Sequence, residues 1–355
     1  MKYLTRLSIP AKLALVAFVI ISLAMGVMVW SVTRTATGIL DEKARASMQT
    51  HLEMTKAMLA VVDRQARSDL DGLLERMPRH LEGLAAFDGE ALQLQSGMTI
   101  ELVLFKLTTL PGTIAGYYLA DNGAEPVFGK AASGQDLEEL PVLRDSDRAA
   151  VADGKAVVRL ERIAGRDHMV RILPVVDEGR IMGALLLGAD IHDALTEAKQ
   201  LILAARVGET GYAYAVDATP GPTYGVATMH PYQEGAPLID FKDPNGVQFV
   251  REMIERKEGT LRYYWMNKEA GETQSREKVV VYGVFEPWNW SLNSGTYAEE
   301  LTRDSITLRN YMLGFAAAAA AIMVALLVLV TRRMVARPLA QAVAVADRIA
   351  EGDLN

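Results

Sequence analysis

The 355-residue chain contains no cysteine, which removes disulfide frameworks and thiolate metal sites and leaves its redox compartment unspecified. Histidine is scarce. His51, His80, His168, His192 and His230 are scattered, and none forms a His-x-x-x-His pair with metal-ligand spacing. A Gly-x-Ser-x-Gly nucleophile turn is missing, as is a glycine-rich phosphate loop after a strand. The expectation is therefore a chain that is no enzyme and carries no cofactor or metal. There is no dense Lys/Arg run and the formal charge is −7, which argues against nucleic acid as a partner.

Charge is also missing from two long spans, Leu13 to Thr33 and Tyr311 to Thr331. A helix of about twenty-one residues rises roughly 30 Å at about 1.5 Å per residue, the thickness of a bilayer's hydrocarbon core. Lys2, Arg6 and Lys12 precede the first span, while Arg332, Arg333 and Arg337 follow the second. A cleaved signal peptide is the competing reading of the first span, but secretory apolar regions run about 7 to 15 residues and end at a small-x-small site. This span is longer and ends in Val29-Trp30-Ser31-Val32, so it reads as an uncleaved anchor with an interfacial Trp30. The positive-inside rule then places both termini in the cytoplasm and Arg34 to Asn310 outside it. The expected topology is a membrane crossed twice, with the lipid bilayer as a partner. The run Ala316 to Ala321 would let another helix approach closely in lipid.

From Thr35 to about Arg76, apolar or small residues recur in steps of three and four at Leu40, Ala44, Met48, Leu52, Thr55, Leu59, Val62, Ala66 and Leu70. This predicts one long helix continuing the first span and stopping near Pro78. Its stripe suits either a seam against a second copy, giving a homodimer, or the face that packs on its own domain. Short strand-like runs follow at Thr113–Leu119, Ala156–Ile163, His168–Val176 and Ile181–Ala189, with Leu137 to Asp153 read as an intervening helix. After a helix at Ile191 to Ala205 the plan repeats: strands at Gly211–Val216, Leu261–Asn267, Lys278–Val284 and Trp290–Thr296, and a helix at Gln248–Lys257 closed by Gly259.

Within the second half, Gly208-Glu209-Thr210-Gly211-Tyr212-Ala213-Tyr214, Met229-His230-Pro231 with Gly235, Gly259-Thr260-Leu261-Arg262-Tyr263-Tyr264-Trp265, and Glu286-Pro287-Trp288-Asn289-Trp290 with Gly295-Thr296-Tyr297 follow one another in order. This set resembles the Cache domain of bacterial transmembrane receptors. The first module, through Ala152-Asp153-Gly154-Lys155, Ala164-Gly165-Arg166-Asp167-His168 and Gly183 to Gly188, is similar to the Cache subtype that precedes it in tandem Cache_3-Cache_2 receptors. Arg337-Pro338-Leu339 and Ile349-Ala350-Glu351-Gly352-Asp353-Leu354 resemble the first helix of a HAMP relay domain, with Leu339, Val343, Ala346 and Ile349 as its seam.

The resemblance implies an α+β fold: two transmembrane helices flanking a long helix and two PAS-like antiparallel-sheet modules, then the start of a HAMP coiled coil. The expected divisions are 1–12, a cytoplasmic N-terminus; 13–33, the first span; 34–90, the long helix; 91–192, a membrane-distal module; 193–310, a membrane-proximal module; 311–331, the second span; and 332–355, a partial HAMP. It also implies a chemotaxis receptor of the methyl-accepting type, with sensor histidine kinases and cyclic-dinucleotide enzymes sharing the same front end. Cytoplasmic signalling partners would be reached through an output domain beyond Asn355. A membrane-anchored structural module that binds nothing small is the remaining reading.

A small-molecule pocket needs an apolar wall with a few placed polar groups. In the first module Arg162 and Arg171 alternate with apolar residues on a predicted hairpin, with Arg159, Arg166 and His168 nearby and Tyr117 and Tyr118 on a neighbouring strand. An arginine on an apolar face can clamp a carboxylate through two parallel hydrogen bonds, so the expected ligand is an anionic metabolite such as an organic acid. The plainer reading pairs these arginines with Glu161 and Asp167. In the second module Tyr212, Tyr214, His230, Tyr263, Trp265 and Lys278 are the candidates, against a reading of the aromatics as core and of His230 as a loop-ordering residue. The family commonly binds ligand in the first module of a tandem, which ranks its arginines slightly higher.

Overall fold

The computed structural model describes residues 9–89, 91–107, 113–119, 126–131, 140–268 and 271–350. They fall into two compact units. One holds the chain's two ends, residues 1–46 and 298–355; the other, Ser47–Tyr297, holds both sheet modules.

Helix α1 (Ile9–His80) is continuous, with Pro78 in its last turn. From Met48 onward its stripe of Met48, Leu52, Thr55, Leu59, Val62, Ala66 and Leu70 is buried. Since that burial lies within a single chain, the periodic face packs on the chain's own domain and not on a second copy. Two helices carry stretches apolar and long enough to cross a membrane by length and composition, within Phe18–Arg79 and Ala298–Val345.

The first module is a sheet in the order β1-β2-β6-β7-β3-β4, with β5 beside β6. Its strands are β1 (Ala85–Phe87), β2 (Leu92–Leu94), β3 (Thr113–Leu119), β4 (Pro126–Ala131), β5 (Val157–Ile163), β6 (Arg166–Asp177) and β7 (Arg180–Asp190). Helix α2 (Ile100–Leu107) precedes β3, and α3 (Asp145–Ala152) precedes β5. The hairpins β5–β6 and β6–β7 turn through Ala164-Gly165 and Glu178-Gly179, and all four residues have positive φ. Such two-residue turns match the right-handed twist of the strands they join. The expected helix over Leu137 to Asp153 is shorter than its pattern: within the described residues it begins only at Asp145. Pro141 explains this, because it lacks an N–H and drives its predecessor out of helical geometry. The turn expected at Asp121-Asn122-Gly123 lies outside the described residues.

Helix α4 (His192–Ala204) leads to the second sheet, in the order β10-β11-β12-β8-β9 and antiparallel throughout. Its strands are β8 (Tyr212–Asp217), β9 (Ala227–Met229), β10 (Gly259–Trp265), β11 (Arg276–Phe285) and β12 (Trp290–Tyr297), with α5 (Phe249–Arg256) packed on the inner face. The left-handed residue that ends α5 is Lys257, at φ 66°, two residues before the expected Gly259. A one-turn 3-10 helix, Glu286–Trp288, joins β11 to β12. Trp288 Nε1 donates to Asp63 Oδ1 of α1 at 2.8 Å, a buried bond that ties this turn to the long helix.

Helix α6 (Ala298–Thr331) begins where β12 ends, and α7 (Arg337–Ala350) follows a five-residue π-helical segment, Arg332–Ala336. Pro338 accounts for the widening. It cannot donate, and its ring opposes the carbonyl four residues back; Arg337 N–H instead reaches Arg332 O, five residues back.

Candidate functional site

Strand register decides which of the first-module candidates share a face, since cross-strand partners point to the same side of a sheet. Arg171 pairs with Val158, and Arg162 with Asp167, whereas Arg159 pairs with Val170 and His168 with Glu161. Arg162 and Arg171 therefore occupy one face and Arg159 and His168 the other. Tyr117 and Tyr118 are adjacent on β3 and point to opposite faces, and β7 separates β3 from the β5–β6 hairpin. The expected single cluster is thus divided, because a strand turns every second side chain over.

Each half is largely committed. Arg171 donates to Gly89 O at 3.0 Å and lies 3.8 Å from Asp71 of α1. Tyr117 donates to Met182 O at 3.1 Å. His168 is buried with Nδ1 3.0 Å from Arg166 O, and burial lowers its pKa. Tyr118 donates to Pro141 O at 2.7 Å beside Arg159, whose side chain is 10% exposed. Arg159 sits 3.1 Å from Asp147 Oδ2 and against Glu161, which also accepts from Arg144 at 3.2 Å. Burial, and then the neighbouring Arg144, pull the Arg159 pKa down to about 10. Arg159 belongs to the arginine group that the sequence brings together, but its burial was not foreseeable from alternation.

The second module brings its candidates together. Tyr212, Tyr214, Tyr263 and Lys278 all lie on the inner sheet face or its core. Lys278 is 1% exposed, and its Nζ stands 3.5 Å from the Tyr212 ring centre, 5.3 Å from Tyr214 and 6.0 Å from Tyr297. Ring faces attract a desolvated cation, but they do not neutralise it. Burial pushes the Lys278 pKa down to about 7, with Glu272 pulling the other way. Glu272 is itself engaged: Arg276 and Tyr297 Oη donate to its carboxylate at 2.8 and 3.2 Å, and Asn267 N at 2.7 Å. Among the described residues no carboxylate lies within ion-pair distance of Lys278.

His230 serves the loop and the box at once. Its Nδ1 accepts from Tyr232 N and Gln233 N at 3.1 and 3.0 Å, so in the neutral ring the proton is assigned to Nε2, on the far side from the loop. The ring meets Tyr212 and Tyr214 edge-on at 5.2 and 5.5 Å. Tyr214 and Tyr263 share a hydrogen bond of 3.1 Å, and burial raises the pKa of both. Asn293 and Ser291 stand opposite Tyr214 and Val216 on β12, and Asn293 Oδ1 and Ser291 Oγ are buried without hydrogen-bond partners. Trp265 lies on the same face, packing against Phe249 and Phe241 at the border of this cluster. Among the described residues no group of three or more side chains could hold a metal ion.

A five-stranded antiparallel sheet with a helix over an inner polar box, entered from α4 and left directly into α6, is a PAS-like module. Residues 142–311 match the model of the Cache 3/Cache 2 fusion domain, so this part of the chain is similar to a Cache sensor domain. The methyl-accepting chemotaxis protein McpP of Pseudomonas putida is 27% identical over 165 residues, 45% of this chain and 29% of that protein. The chain thus spans less than a third of that relative's length. Among solved structures, a methyl-accepting chemotaxis protein from Vibrio parahaemolyticus is 27% identical over 31% of this chain and 73% of its own, with a TM-score of 0.27. The ligand-binding domain of Mlp24 with asparagine is 16% identical over 75% of this chain and 98% of its own, with a TM-score of 0.47.

Proposed function

We propose that the chain is the sensing part of a two-pass chemotaxis receptor that binds a small monocarboxylate in its second module. The observation that carries this is Lys278, a buried ammonium ringed by aromatics with no acid partner among the described residues. An ionised amine out of water is stable only beside an anion. A carboxylate would supply that charge, and the buried tyrosine hydroxyls and the Lys278 ammonium are donors suited to its two oxygens. Tyr212, Tyr214, His230, Tyr263 and Lys278 form the proposed site, with the rings fitting a short apolar tail. This moves the expected organic-acid site out of the first module, where Arg159 and Arg171 already have partners.

The two apolar stretches, whose side chains such as Phe18, Leu23, Phe315 and Leu326 are exposed, support membrane anchoring with both termini cytoplasmic. In this reading α6 passes the bound state from Tyr297 to the HAMP-like α7, and the π segment before Pro338 is where a shift would be taken up. A homodimer would use the other face of α1, where Met54 and Val61 are 50% and 57% exposed and stand seven residues apart.

The test is a thermal-shift titration of the full chain in nanodiscs with acetate and propionate, against acetamide and propionamide. A carboxylate at about 100 times its Kd should stabilise by about 2.7 kcal/mol, and the amides should not. Equal shifts with the amides, or a carboxylate shift that survives Lys278→Met, would overturn the reading.

A further inference from the structure

A cavity of about 640 Å³ lies between the two modules, away from the Lys278 box. Its size is that of a small-molecule pocket. One wall is the edge strand β5, which touches the Glu286–Trp288 turn of the second module; the other includes that turn, Asp217 and Thr228. Several of its charges already cancel. Lys199 pairs with Glu234 at 2.7 Å, and Arg159 is held by Asp147 and Glu161. Among the described residues the side chains of Arg162 of β5 and Glu286 of the turn, both exposed, have neither ion-pair nor hydrogen-bond partners, and they line the cavity from opposite modules. Asp217, 8% exposed, adds a second carboxylate, with one oxygen taken by Thr219 N at 2.8 Å. Thr228 Oγ1 is buried with no partner, and Leu160 and Trp290 supply apolar surface.

We propose that this inter-module cleft is a second binding site, for a small dipolar molecule bearing one carboxylate and one ammonium group. The guanidinium of Arg162 takes the carboxylate in a forked pair. Glu286 and Asp217 take the ammonium, so the ligand carries to each wall the charge that the wall lacks. A pure anion or a pure amine satisfies one wall only and leaves the other wall's unpaired charge facing it. Occupancy clamps β5 onto the turn whose Trp288 is bonded to Asp63 of α1. The cleft thereby acts on the long helix independently of the Lys278 box.

The proposal does not depend on the carboxylate site, and its test separates the two. The full chain in nanodiscs is screened by thermal shift against the proteinogenic L-α-amino acids, each paired with its amide and its N-acetyl form. At least one amino acid should give a saturable rise in Tm that both blocked forms lack. Arg162→Gln and Glu286→Gln should each weaken that amino acid about ten- to a hundredfold, the loss of one charge-assisted pair, while Lys278→Met leaves it unchanged. No rise with any amino acid overturns the proposal, as does a rise that survives both cleft substitutions. A rise abolished only by Lys278→Met overturns it as well, since the amino acid then sits in the box.

Discussion

The first module buries Arg159 among carboxylates, while the second buries Lys278 among rings. Arg159 has Asp147 and Glu161 against it and Arg144 behind them, so its charge is answered within the fold. Lys278 has three tyrosine rings within 6.0 Å and, among the described residues, no acid within ion-pair distance. A cation already matched holds a structure together; in the reading proposed above, the unmatched one takes its counter-charge from a ligand. On that reading the modules differ less in fold than in how the two cations are answered, and substitutions at them should have opposite consequences.

The largest expected effect is at Arg159. Arg159→Met leaves Asp147, 2% exposed, as a buried carboxylate without its cation, and should destabilise by about 3–5 kcal/mol in urea unfolding. Lys278→Met should instead be neutral or stabilising by about 1–4 kcal/mol at pH 6, while carboxylate binding is lost in calorimetry. If Lys278→Met destabilises as much as Arg159→Met, the contrast between the modules fails. Next comes Trp288→Phe, which removes the bond to Asp63 and leaves that carboxylate to Arg67; a loss of about 1–3 kcal/mol is expected in the same unfolding assay.

Smallest per step, and sharpest, are the effects of one unit of pH. The Lys278 pKa is about 7 in the folded chain against 10.5 when free. Between these values the unfolded chain keeps the proton and the folded chain does not. Stability should therefore rise with pH across this window, by up to about 1.4 kcal/mol per unit, and the group should contribute no slope below pH 7. Unfolding curves of Lys278→Met should lack that contribution. Carboxylate affinity should run the other way, because binding requires the protonated amine: it should fall about tenfold per unit above pH 7. Calorimetry in buffers of different ionisation enthalpy would detect the accompanying proton uptake.

Much of the architecture was legible because hydrophobic period reports element type directly. The stripe from Met48 to Leu70 announced α1, and the paired hairpins announced their strands to within one or two residues. The same stripe could not say what it would face; burial against the chain's own sheets answers that, and moves any dimer seam to the side of Met54 and Val61. Three-residue strands such as β1, β2 and β9 are too short to show a period. Helix α3 was overextended because polar residues around Pro141 fit a helical spacing that the proline forbids.

The candidate site divides in the same way. The aromatic and basic residues of the second module were named from the motifs that carry them, and their convergence follows from β8, β10, β11 and β12 lying side by side. In the first module the arginines were gathered by nearness in sequence, and strand alternation sent them to opposite faces. What the sequence by itself determined is the order of elements, the two uncharged spans and the Cache-like motifs, since each is written in residues close along the chain. Which cation is answered and which is left alone was decided only in three dimensions, because a counter-charge such as Asp147 or Glu272 reaches its place through packing that local spacing does not encode.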